Sequence, residues 1–240
     1  MSTATIAVPT EGLVARLRQL AVATAAGALA GFAIGGVGGR LAMLLLRLTS
    51  DPALHGLKTD DGFTIGVVSG ETSFLLIATT ILGAAGGALY FLARAVLIER
   101  SAPWAWGALG ATIGGATILR PNGIDFTLLE PLALAVAMFI AIPAAGAAAT
   151  SVLTERWLRR GPRSIAWLLG LGPFVLIALG GPVTMIAVAT VIGLALALPA
   201  DWLVSRDRVP RPIAMGGRAV LAVGGALGAS ALVRDVLEIL

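Results

Sequence analysis

Seven long apolar stretches, divided by connections that carry most of the charge, leave this chain little choice of fold. They run over about 19–46, 72–98, 103–119, 128–153, 164–180, 183–204 and 213–233. A helix rises about 1.5 Å per residue, so about 20 apolar residues cross the hydrocarbon core of a bilayer. Lipid offers the backbone no hydrogen-bond partners, and a helix satisfies its own N–H and C=O groups within one segment. The expected fold is all-α: a polytopic transmembrane bundle of about seven helices, forming one integral membrane domain over residues 1–240. Composition agrees, with 58% hydrophobic and only 12% charged residues, against about 25% charged in soluble domains.

The arginines orient the bundle. Cytoplasmic connections hold an excess of Lys and Arg. With the N-terminus inside, the inner side carries Arg16, Arg18, Arg94, Arg100, Arg156, Arg159, Arg160, Arg163, Arg206, Arg208, Arg211 and Arg218. The outer side carries Arg40, Arg47, Lys58, Arg120 and Arg234. The first stretch is too long for a signal-peptide core of about 7–15 residues, so it reads as the first span. The expected location is the plasma membrane, with a cytoplasmic N-terminus.

Several function classes drop out. The pI of 10.9 does not point to nucleic acid, because the basic residues sit at the ends of apolar runs rather than in a patch with aromatics. The chain has no Cys, which removes disulfides, thiol catalysis and thiolate metal sites. One His cannot supply bis-His haem ligation within the chain. No span carries a Lys for a retinal-type Schiff base. Haem and retinal are thus disfavoured, and the sequence names no cofactor.

Local signals place helix starts and breaks. Thr127-Leu128-Leu129-Glu130 has capping-box spacing and predicts that the fourth helix begins there, with Pro131 in its first turn. Pro143 should kink that helix. Gly170, Gly172 and Pro173 interrupt the fifth segment, and Gly180-Gly181-Pro182 joins it to the sixth without a charge. Two spans, a re-entrant hairpin, or a re-entrant loop followed by one span would each fit there; two spans is the favoured reading.

The first helix carries Gly27, Gly31, Gly35 and Gly39, each four residues apart. Small residues on one face let another backbone approach closely, the usual packing surface in lipid. Gly83 with Gly87, Gly110 with Gly114, and Gly224 with Gly228 repeat the spacing. Packing within the chain is the plain reading. A homo-oligomer, a membrane-protein partner, or a lipid or pigment tail is the sharper one.

The candidate binding cluster lies on the outer side. The connection from Thr49 to Glu71 holds Asp51, His55, Lys58, Asp60 and Asp61, with Phe63–Val68 as a short strand or an interfacial dip; the second outer loop adds Arg120, Asn122, Asp125 and Glu130. Loops this long are usually functional or disordered. Arg40 lies inside the outer end of the first helix, where a charge needs a partner or must reach the headgroups. Asp51, Asp60, Asp61 and Asp125 are the candidate partners, and pairing would fold the loops over the bundle. The spacing of Asp51, His55, Asp60 and Asp61 matches no zinc or EF-hand pattern, so no metal is assigned.

The stretches GGVGGRLAMLLLRLTS, GLKTDDGF and RPNGIDFTLLEP resemble segments of small, uncharacterised polytopic membrane proteins of the actinobacterial type, over the first four spans. The resemblance implies a shared membrane fold with ordered outer loops, and no activity. The function expected is that of a non-enzymatic accessory or structural bundle, binding a partner or ligand through its outer loops. The alternatives are a small-solute transporter or channel, and a membrane enzyme using the outer carboxylates. Transporters place ionisable or unwound sites near mid-membrane; here those positions read as nearly all apolar, and only the Gly170–Pro173 break is suggestive.

Overall fold

The computed structural model describes residues 10–51, 70–127, 130–160, 193, 198–199, 202–203 and 206–240. Among these, every regular element is a helix. Helix α1 runs through Thr10–Ala30, widens to π-helical turns over Gly31–Gly38, and continues as Gly39–Thr49. Helix α2 is Gly70–Ala93. Helix α3 runs Ala102–Leu109, a π segment Gly110–Gly114, and Gly115–Ile118. A single turn, Ile124–Thr127, precedes α4, Leu132–Arg160, which continues through Pro143. Helix α5 is Arg211–Ile239.

Among the described residues, four helical stretches are long and apolar enough to cross a membrane: Val14–Thr49, Thr72–Ala93, Leu132–Arg160 and Arg211–Ile239. They match the first, second, fourth and seventh apolar segments of the sequence. The third segment is helical too, as α3, but shorter. The fifth segment and most of the sixth lie outside the described residues, as does most of the loop between the first two helices.

Helices α1 and α2 meet glycine to glycine. A Cβ built on Gly27 would stand 2.1 Å from the Gly83 carbonyl oxygen, and one on Gly31 2.1 Å from that of Thr79. On α2, a Cβ on Gly83 would meet the Gly27 carbonyl at 2.3 Å, and one on Gly87 the Ala23 carbonyl at 2.1 Å. Only a hydrogen fits at these crossings, so the two backbones touch and the glycine face of α1 is filled by α2 of the same chain. A Cβ on Gly35 would meet the Thr79 side chain at 3.1 Å, while one on Gly39 would have nothing within 4 Å. The stripe therefore leaves the α2 face beyond the π segment.

Helices α3 and α4 repeat the device. Gly110 lies against the Pro143 carbonyl and Gly114 against the Pro143 ring. Helix α5 rests on the π segment of α3, where Gly228 meets Ile113. Buried threonines return their hydroxyls to their own helix: Thr24 to the Leu20 carbonyl, Thr150 to Gly146 and Thr154 to Thr150. This satisfies the hydroxyl without a partner from another helix.

The start of α4 differs from the capping-box expectation. The Thr127 hydroxyl donates to the Gly123 carbonyl at 3.0 Å, inside the one-turn helix, and α4 begins later, at Leu132. The Glu130 backbone is held instead by α1. The Ser50 hydroxyl donates to the Glu130 carbonyl and accepts from its N–H, and Thr49 donates to the same carbonyl at 2.9 Å. The local motif lost because a neighbouring helix end reached the same backbone.

Candidate functional site

At the opposite end of the bundle, polar side chains from three helices converge. Tyr90 and Arg94 lie one turn apart at the end of α2, and Ser151 and Glu155 lie one turn apart on α4. The i, i+4 spacing puts each pair on one helix face. Arg94 grips the Glu155 carboxylate with both arms of its fork, Nε to Oε1 at 3.1 Å and Nη2 to Oε2 at 3.3 Å. The side chains are only 10% and 9% exposed. A bidentate, charge-assisted pair of this kind is geometrically specific.

Neighbours complete the network. The Tyr90 hydroxyl donates to Glu155 Oε1 at 3.0 Å and accepts from the Ser151 hydroxyl at 2.8 Å. Arg94 Nη1 donates to Gln19 Oε1 on α1 at 3.0 Å and to the Leu203 carbonyl at 3.4 Å. The Tyr90 ring is fully buried and stacks obliquely on Trp106 of α3, with centroids 5.4 Å apart. A charge taken out of water is tolerable only when paired and fully hydrogen-bonded. Here α1, α2 and α4 each contribute a polar group to that end, while α3 packs the ring.

The pair forms part of the wall of a cavity of about 670 Å³. Arg18, Arg159 and Arg218 also line it, with Glu99 and Asp207. Arg159 bonds Glu99 at 3.1 Å at an exposed site, and Arg218 Nε donates to the Val96 carbonyl at 2.7 Å. The wall also has apolar parts, among them Val22, Leu97 and Trp157. Among the described residues, no three His, Asp or Glu side chains gather as a metal centre would need. The available chemistry is ion pairing and hydrogen bonding to a polar or anionic group.

The sequence-derived outer cluster fares differently. Arg40 donates to the Thr72 hydroxyl at the start of α2 and lies 3.7 Å from Met43 Sδ. Asp51 and Glu130 are exposed. His55, Asp60, Asp61 and the side chain of Asp125 lie outside the described residues. The described residues at that end form the backbone clamp of Thr49 and Ser50 on Glu130.

Sequence reasoning passed over Glu155 and counted Arg94 only as a charge anchoring a helix end. A signal was present: Tyr90 is the single tyrosine, it stands one turn before Arg94, and Ser151-x-x-x-Glu155 interrupts an apolar helix with the same spacing. No protein-family model, curated protein or solved structure matches the chain.

Proposed function

We propose that the protein is a multi-pass plasma-membrane helix bundle that binds a ligand in a vestibule at its arginine-rich, cytoplasmic end. It acts as a binding or accessory protein rather than an enzyme. The observation that supports this reading is the buried Arg94–Glu155 pair in the wall of the 670 Å³ cavity. Ionisable groups buried within a membrane bundle are rare and mark ligand or ion sites. A cavity of this size suits a small molecule or a headgroup, for which pockets are about 300–1,000 Å³.

The proposed topology is about seven spans with the N-terminus inside. Residues near Arg18 on α1, Arg94 after α2, Arg159 on α4 and Arg218 on α5 share one cavity, as an inner surface rich in arginine requires. The end of α4 and the start of α5 therefore lie at the same end of the bundle. That favours an even number of crossings by the stretch between them, as two spans or a hairpin would give.

Because the chain has no Cys, single-cysteine variants report topology directly. Ala15→Cys and Ala214→Cys line the cavity; Asn122→Cys lies exposed at the other end. With a membrane-impermeant maleimide, the first two should label in inverted vesicles and not in intact cells, and Asn122→Cys the reverse. Labelling of Ala15→Cys from outside would overturn the orientation, and no labelling of either cavity variant would remove the vestibule.

A second reading, a small-solute transporter, draws on the same pair, since opening a path would require α2 and α4 to part at Arg94 and Glu155. It predicts solute uptake by proteoliposomes that Glu155→Gln abolishes while the protein stays folded. Unchanged uptake in that variant would exclude it.

A further inference from the structure

We propose that the vestibule holds the phosphate of an anionic phospholipid drawn from the adjoining leaflet, with Arg18 and Arg218 as its receiving cations; this rests on the vestibule reading above. Not every arginine around the cavity is equally engaged. Arg94 is committed to Glu155 and Gln19. Arg159 is paired with Glu99 through Nη1. Arg218 spends Nε on the Val96 carbonyl, which steers its fork and leaves both Nη groups without a partner among the described residues. Arg18 has neither a hydrogen bond nor an ion pair there, yet it lines the cavity and is only half-buried.

Two cations from α1 and α5 thus flank one space with unused donors. A guanidinium fork matches the oxygens of a phosphate. The remaining wall fits the rest of such a molecule. Val22 is buried, Trp157 is half-buried, and Ile98, 57% exposed, joins them in lining the cavity. Cationic groups beside apolar surface suit an amphiphile better than a free anion. Basic pockets between membrane helices on the cytoplasmic side take lipid headgroups on the same logic. The opposing term is Asp207, an exposed lining carboxylate on the short turn Arg206–Arg208 with no partner among the described residues. It lowers the affinity without removing the excess of arginine over carboxylate in the wall.

The test uses the full chain in mixed phosphatidylglycerol–phosphatidylcholine nanodiscs, with retained lipid counted by native mass spectrometry after release into detergent. Wild type should keep phosphatidylglycerol over phosphatidylcholine by roughly tenfold. Arg18→Ala with Arg218→Ala should abolish the preference, about what two interfacial cations contribute. Asp207→Asn removes only an exposed repulsive charge, so it should stay folded and raise retention a few-fold. Equal retention of the two lipids by wild type, or a lower retention in Asp207→Asn, would overturn the proposal. Displacement of the lipid by millimolar inorganic phosphate would also overturn it, since the site would then be one for a soluble anion. Maleimide labelling of Ala15→Cys and Ala214→Cys separates the two levels: a labelled vestibule without lipid preference sinks only the headgroup, whereas no labelling of either sinks the vestibule beneath it.

Discussion

Gly83→Leu should leave no folded protein to purify. A Cβ at this position would stand 2.3 Å from the Gly27 carbonyl oxygen and 2.7 Å from the Gly31 Cα. Both are backbone atoms of the facing helix, so no rotamer change relieves them. Ordinary overpacking of a core costs about 1–3 kcal/mol because side chains can shift. Here the whole of α1 would have to move away from α2, losing the close contact along Gly27, Gly31, Gly83 and Gly87 together. Against a typical total stability of about 5–15 kcal/mol, even Gly83→Ala should be severe. Gly86→Ala is the control, since nothing lies within 4 Å of its Cβ position. It should match wild type or gain a little, as alanine exceeds glycine in a helix by about 0.5–1 kcal/mol. Yield and monodispersity in detergent, followed by thermal unfolding read from tryptophan fluorescence, check both. Wild-type stability in Gly83→Ala would mean that the two helices do not cross as described.

Glu155→Ala should cost roughly 3–5 kcal/mol, because it strands the buried Arg94 guanidinium without its counter-charge. Arg94→Ala should cost a similar amount by stranding the carboxylate. Replacing both, as Arg94→Leu with Glu155→Leu, should recover most of the loss, since two apolar side chains in the same space need no desolvated partner. Tyr90→Phe removes one hydrogen bond to the carboxylate and orphans the Ser151 donor, so about 1.5–3 kcal/mol is expected. The exposed Arg159–Glu99 pair offers the contrast: side chains 63% and 57% exposed should give no more than about 1 kcal/mol. Denaturant midpoints on Glu155→Ala, Arg94→Ala, Tyr90→Phe, Arg159→Ala and the double mutant settle the order. If Glu155→Ala unfolds with wild type, or the double mutant is worse than either single, the network does not hold α2 and α4 together. A double mutant that is stable yet no longer retains ligand would assign the pair to binding rather than to folding.

Much of the helix layout was legible in the chain. The apolar segments at 19–46, 72–98, 103–119, 128–153 and 213–233 each contain or overlap a described helix, because hydropathy is a property of a contiguous window. Their ends moved. Helix α1 starts at Thr10, before its apolar run, and α2 stops at Ala93, before the end of its own. Composition does not register where a backbone turns. The capping-box reading at Thr127 failed for a related reason. Its pattern is local, and it was outweighed by Ser50, eighty residues away in sequence, holding the Glu130 backbone.

The candidate site was the least legible part. Gln19, Tyr90, Arg94, Ser151 and Glu155 are ordinary polar residues near the ends of apolar runs, where charge is expected to meet water. Arg94 and Glu155 are 61 residues apart, and no spacing rule links them. Arg40 interrupts an apolar run and is legible for that reason; among the bonds described for it is one to the Thr72 hydroxyl of the neighbouring helix.

By itself the sequence determined that the chain is helical, where several helices run, and that glycines spaced by four leave one face of α1 without side chains. Those properties belong to stretches of consecutive residues, and so they can be read in order. Tertiary structure alone decided which helix fills that face, and that an arginine and a glutamate on different helices are shut away together. Burial and pairing depend on what lies across the gap, which distance along the chain does not record.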